Sequence, residues 1–266
     1  MWPNWLYMRH AKLVSGTLIG VAVALILFGA LAVPASAVQL TVGAQGQFTT
    51  IQSAIEAAQS GDTIFIGPGT YVENVAVNKP LTIAAASTRP TIQAADSSKD
   101  VFAVTSAGVR IEGLKVTGGA SGIAILNTSR CTITNLIATN NARAVYLVHS
   151  ANNEITYSNL AGNGYGVYSD YSSNNNINFN NATGEKGAGN ALGDGIYLNY
   201  GGSNQITNNE LSANHVYGLS LYHSIRNIIS KNTISDKNTS AFDSARDPTT
   251  TRSPLTRSAG TRNLVL

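Results

Sequence analysis

"SGIAILNTSRCTITNLIATNNARAVYLVHSANNEITYSNLAGNGYGVYSDYSSNNNINFNN", residues 121–181, restates itself every 22 residues. Isoleucines that follow a polar turn form one column: Ile111, Ile133, Ile155, Ile177, Ile206 and Ile229, spaced 22, 22, 22, 29 and 23. A second column, Gly122, Ala144, Gly166, Gly195 and Gly218, opens the short segments "GIAIL", "AVYLV", "GVYSD", "GIYLN" and "GLSLY". A third lies five residues after each isoleucine: Val116, Ala138, Leu160, Ala182, Leu211 and Ile234. All three columns keep register across the same seven-residue insertion, which chance does not produce.

A period near 22 with several short strands per repeat predicts a solenoid. The fold class is all-β: a right-handed single-stranded parallel β-helix of about seven coils, stacked at the ~4.8 Å strand spacing. Polar turns separate the strands. Asn153, Asn175, Asn204 and Asn227 share one column, and Asn141, Asn163 and Asn214 another. Stacked asparagines can hydrogen-bond along a ladder and tolerate left-handed turns, so their abundance is structural. The Leu-x-x-Leu-x-Leu pattern of a leucine-rich repeat is absent.

A solenoid end needs a cover. In "TTIQSAIEAAQ", residues 49–59, Ile51, Ala54, Ile55 and Ala58 fall on one helical face. Thr49 and Gln52 have capping-box spacing, and Gly61 follows. This predicts an N-terminal amphipathic cap helix, with a short strand at Val38–Val42. The cap segment is 38–61 and the β-helix 62–240. Past residue 240 the repeat fails. The segment 241–266 is rich in Thr, Ser, Arg and Pro and reads as a disordered basic tail or a truncated C-terminus. An uncovered last coil would favour self-association.

Residues 1–37 read as a signal peptide: Arg9 and Lys12, an apolar run to Val33, then Ala35-Ser36-Ala37. A retained membrane anchor is the alternative, and the only route to membrane contact. Either way the body is secreted, periplasmic or at the cell surface. Without that segment 15 basic residues face 14 acidic ones, which leaves no basic stripe for nucleic acid. Cys131 is the single cysteine, so there is no disulfide framework. Asn127, Asn181 and Asn238 head glycosylation sequons.

"VGAQGQFTTIQSAIEAAQSGDTIFIGPGTYVENVAV", residues 42–77, resembles the opening of pectinesterase-like proteins of the pectin-lyase type. Gly46, Phe48-Thr49-Thr50-Ile51, Ala54-Ile55, Gly61-Asp62-Thr63-Ile64, Gly69-Thr70-Tyr71 and Glu73 carry the match. The downstream coils of the Ser-Asn-Asn-x-Ile kind resemble NosD-type secreted β-helix proteins, a group associated with periplasmic copper. The resemblance spans residues 42–240 and speaks for fold more than activity. Pectinesterase, polygalacturonase and calcium-dependent pectate lyase resemblances would imply motifs or carboxylate clusters that do not occur as contiguous stretches. Each residue of the opening has a structural role, Glu73 included, as a turn-side carboxylate accepting backbone N–H groups. Copper would need a donor cluster. Beyond residue 37 the chain offers His149, His215, His223 and Cys131 and no methionine. His149 and His223 sit three coils apart, about 14 Å. No metal site and no cofactor is assigned, with calcium and copper left open.

On the outward positions of the "GIxL" strands run two stripes. Tyr146, Tyr168 and Tyr197 follow the column glycine or alanine by two residues; His149, Tyr171, Tyr200 and His223 follow it by five. Asp170 and Asn199 lie between. Aromatic rings beside hydrogen-bonding groups suit sugars, so polysaccharide or cell-envelope glycans are the expected partner. Stacking for stability alone is the competing explanation. The insertion "GEKGAGNALGD", residues 184–194, should protrude beside this face. Were the chain a lyase or hydrolase, Asp170, Glu185 and Asp194 would be its acids. The leading expectation is a non-catalytic glycan-binding or envelope module. A carbohydrate-active enzyme and a NosD-type copper-delivery accessory are the alternatives.

Overall fold

The computed structural model describes residues 37–187 and 193–234, with two further short strands, Ser244–Ala245 and Arg262–Asn263. The chain winds a parallel β-helix whose strands fall into three sheets met in turn on each coil. The first has nine strands, running from Gln39–Val42 and Thr63–Ile66 to Ile228–Ser230. The second has four, from Thr70–Val72 to Ile137–Thr139, and continues as single bridges through Asn159, Asn181, Glu210 and Thr233. The third has eight, from Val75–Val77 through Ser121–Leu126, Arg143–Val148, Tyr165–Asp170, Ile196–Asn199 and Leu219–Tyr222 to Ser244–Ala245.

The three columns are the three inner walls. Ile111, Ile133, Ile155, Ile177, Ile206 and Ile229 pair directly, coil to coil. The same column extends back through Ile83 and Ile64 to Leu40. Irregular loops hide those members from a period search. The stack therefore has about eight turns instead of the expected seven. The column residues are buried and join one continuous apolar core. Ile64 and Ile66, and Val75 and Val77, point inward as alternation requires. Glycine is needed where coils come closest. A Cβ on Gly195 would stand 2.6 Å from the Gly218 carbonyl oxygen and 2.7 Å from Asn214 Nδ2.

The helix spans Ile51–Ala57 and buries Ile51, Ala54 and Ile55 against the strands Gln39–Val42, Thr63–Ile66 and Val75–Val77. Its N-cap is Thr50, not Thr49, and Thr50 Oγ1 accepts from Ser53 N. The expected capping box does not form, because Gln52 Oε1 turns away to accept from Ala76 N. Glu73 supplies the missing acceptors, its two carboxylate oxygens taking Ile51 N at 2.9 Å and Gln52 N at 3.0 Å. Lys79 Nζ donates to the carbonyls of Ile55, Glu56 and Ala58 at the other end. Asp62 accepts from Gln59 N and Val38 N, and these bonds hold its carboxyl below the usual carboxylate range. The first strand, Gln39–Val42, begins the first sheet itself.

Four corners turn each coil, and their residues sit at positive φ. Asn135, Asn140, Asn152, Asn174 and Asn208 are typical, at 52–58°. Asparagine tolerates this region. Inside the corners, buried asparagines tie coils together. Asn153 N and Nδ2 donate to Asn175 Oδ1; Asn175 N and Nδ2 donate to Asn204 Oδ1; Asn204 N and Nδ2 donate to Asn227 Oδ1. Cys131 N enters the same ladder by donating to Asn153 Oδ1. Cys131 is buried and free, and burial pushes its thiol pKa up. A further ladder, Ser158, Asn180, Asn209 and Asn232, was legible from the same spacing.

Residues 1–36, where the export segment falls, lie outside the described residues, as does most of 235–266. Within that last stretch Ser244–Ala245 extends the third sheet in parallel and Arg262–Asn263 pairs antiparallel with Thr233–Ile234.

Each ladder amide serves two coils, so Asn175→Ala leaves Asn153 N and Nδ2 without their shared acceptor. We expect a loss of about 2–4 kcal/mol in urea unfolding. Asn174→Gly, at an exposed left-handed corner one residue away, should change stability by only a few tenths of a kcal/mol.

Candidate functional site

The third sheet carries the first stripe. Its strands pair in register, Tyr146 beside Tyr168 and Tyr168 beside Tyr197. Ring centroids are 5.3 Å and 5.0 Å apart with tilts of 56° and 41°. Tyr165 closes the cluster edge-on against Tyr168 at 5.2 Å. Arg143 lies over the Tyr146 ring at 4.2 Å and donates from Nε to Ser121 Oγ. These three stripe tyrosines are half-buried. Burial, and next the Asp170 charge, raise the phenol pKa values of Tyr146 and Tyr168. For Tyr197 burial leads, followed by Tyr165. All three remain hydroxyl donors at neutral pH.

The second stripe occupies a corner. His149, Tyr171, Tyr200 and His223 all have φ of 45–48°, a conformation bulky residues rarely adopt. Their rings stack along the axis: His149 on Tyr171 at 5.2 Å, Tyr171 on Tyr200 at 4.9 Å and 4°, Tyr200 on His223 at 4.8 Å and 11°. Tyr222 meets Tyr200 and His223 edge-on. The inner rings are therefore sandwiched, and their faces are not open to a sugar. What the stripe offers solvent is ring edges and hydroxyls, Tyr171 being 52 % exposed. Between the stripes Asn199 Nδ2 donates to Asp170 Oδ1 at 2.6 Å.

The three candidate acids do not converge. Asp170 is on the face. Glu185 and Asp194 are 1 % and 0 % exposed. The expectation that they stand on a protruding loop is corrected, because both ends of the insertion are built into the stack. Asp194 accepts from Tyr217 N and from Ser220 Oγ. Glu185 is a rung of an asparagine ladder. Asn141 N donates to Asn163 Oδ1, Asn163 N to Glu185 Oε2 at 2.5 Å, and Glu185 N to Asn214 Oδ1 at 3.0 Å. Its spacing, 22 after Asn163 and 29 before Asn214, matches the column and was the available signal. Burial drives the Glu185 carboxyl up to about 9, against the Asn163 N–H and Lys186, which favour the charge. Its Oε1 is buried and has no hydrogen-bond partner among the described residues. The carboxyl is neutral at pH 7 and stands where an amide stands elsewhere. Residues 188–192, the middle of the insertion, lie outside the described residues.

A third aromatic pair was missed in the sequence, although its spacing of 22 was visible: Tyr157 and Phe179. They stack at 5.0 Å and 3° on the corner after the first sheet, both at positive φ.

Copper finds no fitting donor set among the described residues. No three His, Cys, Asp or Glu side chains group to hold a metal. His149 and His223 are the two ends of the ring stack, with Tyr171 and Tyr200 between them. Cys131 is sealed in the core. No described helix is long and apolar enough to cross a membrane.

Comparison with known proteins agrees with this architecture. The family model described as periplasmic copper-binding protein (NosD) matches residues 55–249. A cell surface glycoprotein of Methanothermus fervidus is 41 % identical over 90 residues, which cover 33 % of this chain and only 15 % of that protein. Among solved structures, an alginate lyase from Paenibacillus superposes with a TM-score of 0.58 at 17 % identity, covering 76 % of this chain and 75 % of that one. Pectate lyase Pel9A gives 0.51 at 16 % identity, covering 79 % and 78 %. Dettilon tailspike protein gives 0.55 at 14 % identity, covering 79 % and 44 %. At these identities the likeness is one of fold.

A Glu185→Gln variant tests the ladder role. The folded carboxyl titrates near 9 and a free glutamate near 4.5, so the stability from this residue is full below pH 4.5 and is lost as pH rises toward 9. Glutamine keeps the acceptor without the proton. The variant should melt higher than the wild type at pH 8, and the difference should vanish near pH 4.

Proposed function

The chain belongs to the NosD family of β-helix proteins, and we propose that it is an exported surface module that holds a glycan chain along its third sheet. Family and relative are named for the periplasm and the cell surface, which agrees with an extracytoplasmic role. The observation that carries the proposal is the coil-by-coil repetition of hydroxyl-bearing rings, Tyr146, Tyr168 and Tyr197 beside Tyr171 and Tyr200, with Asp170 and Asn199 between them. Successive rungs recur at about 4.8 Å, so a polymer with repeating hydroxyls lying along the axis meets the same donors and acceptors at each step.

Sandwiched faces in the corner stripe favour recognition by hydrogen bonds to hydroxyls over ring stacking. Asp170, beside the stripes, is engaged by Asn199, and the other two candidate acids are buried. That favours binding without cleavage.

A glycan array with the full chain should show a polysaccharide bound at least tenfold more weakly by Tyr168→Ala and Tyr197→Ala. Tyr171→Phe, which keeps the stack and removes one hydroxyl, should also weaken it. Unchanged binding in all three, with far-UV spectra intact, would sink the proposal.

A further inference from the structure

The corner after the first sheet runs Gly113, Asn135, Tyr157, Phe179, Asn208, Lys231, one residue per coil, all at positive φ. Asparagine or glycine suits such a position; a left-handed bulky residue costs roughly 1–2 kcal/mol. Two aromatic rings in succession here are a local expense that the fold does not require. Tyr157 is 64 % and Phe179 47 % exposed. Among the described residues they stack only on each other, so unlike Tyr171 and Tyr200 each keeps one face without a stacked ring. Tyr157 follows Asn135 on this corner, and Asn135 lines a cavity.

That cavity, about 510 Å³, is lined by Ala85, Ser87, Arg89, Glu112, Gly113 and Asn135. It exists because the Gly113 rung has no side chain and the Ala85 rung a short one. Arg89 reaches across two coils and is held open by them. Its Nη1 donates to the carbonyls of Leu114 and Asn135, and its Nη2 to Asn135 Oδ1 at 2.8 Å. The same bonds draw the Asn135 side chain toward Arg89. The Nε–H and the second Nη2–H of Arg89 stay available. Glu112 is neutralised by Arg110, with 2.5 Å between Nη2 and Oε2. Among the described residues Arg89 is thus the one cation lining the cavity, and the one carboxylate of the lining, Glu112, is paired by Arg110 from outside it.

We infer that this corner is a second saccharide site, distinct from the third sheet, and that it takes a sugar carrying an anionic group. The anion meets Arg89, the ring hydroxyls meet Asn135, Ser87 and Glu112, and the adjoining ring or its neighbour lies against Tyr157. A guanidinium fixed by three hydrogen bonds loses little freedom on binding carboxylate or sulfate. An aromatic face beside it selects a sugar over a free inorganic anion.

The test is calorimetric titration of the full chain with a uronate trisaccharide, a sulfated trisaccharide, the matching neutral trisaccharide and inorganic sulfate. One of the two anionic sugars should bind at least tenfold more tightly than the neutral sugar and the sulfate ion. Which of the two it is identifies the anion. Tyr157→Ala should cut that binding at least fivefold, and Glu112→Gln should strengthen it. Tyr168→Ala, on the other sheet, should leave it unchanged. Arg89→Lys, which keeps the charge but not the fork, should weaken it. Should Arg89→Lys lower the melting temperature, Tyr157→Ala and Glu112→Gln still decide. Equal binding of neutral and anionic sugars, no binding at millimolar concentration, or indifference to both Tyr157→Ala and Glu112→Gln would overturn the inference. Loss of third-sheet binding in Tyr168→Ala leaves these outcomes unaffected, so the two sites fail separately.

Discussion

The coil-to-coil amide ladder is the constraint on which everything else hangs. Parallel strands pair along each sheet, but at the corners the backbone leaves the sheets and its N–H groups face inward. An unpaired buried N–H costs about 1–3 kcal/mol. Asparagine answers this once per coil in each ladder: Oδ1 accepts from the coil before, and Nδ2 donates onward and to nearby carbonyls, as at Asn175. The left-handed corner residue beside it is often a second asparagine, Asn174 here. The repeat length, the composition and the register follow from meeting this demand at every turn.

The same constraint explains where the sequence was readable. The isoleucine, glycine and third columns translate directly into paired residues, because an inward position that repeats coil by coil cannot drift without opening the core. The first three rungs, Leu40, Ile64 and Ile83, escaped because helix and long loops change the spacing between them. A short helix lies within the segment whose apolar face suggested one, and its N-cap is the second of two adjacent threonines, Thr50 and not Thr49. That distinction depends on where Gln52 and Glu73 point, which is tertiary information.

The candidate site was legible as a pattern and opaque as chemistry. Spacing placed Tyr146, Tyr168, Tyr197, Tyr171 and Tyr200 on one side, and they are there. Spacing alone did not show that the corner rings would stack face to face and close those faces to a ligand. Glu185 and Asp194 looked like loop acids because an insertion interrupts the repeat at that point. In fact the flanks of the insertion keep ladder register, and both carboxyls are interior. Tyr157 and Phe179 obey the same period but stand on a corner outside the glycine-headed strands, so the strand pattern does not mark them.

Glu185 is where the account is most exposed. An amide ladder accepts an acid as a rung only if the acid is neutral, since a buried carboxylate with one oxygen unpartnered would be strongly destabilising. The direct measurement is a carbon-detected titration of the Glu185 side-chain carboxyl in the intact protein. The ladder predicts a midpoint near 9, with the carboxyl protonated throughout the neutral range. A midpoint near 4.5 would mean that Glu185 faces water, that the insertion does not belong to the stack, and that the ladder is not what orders this part of the chain.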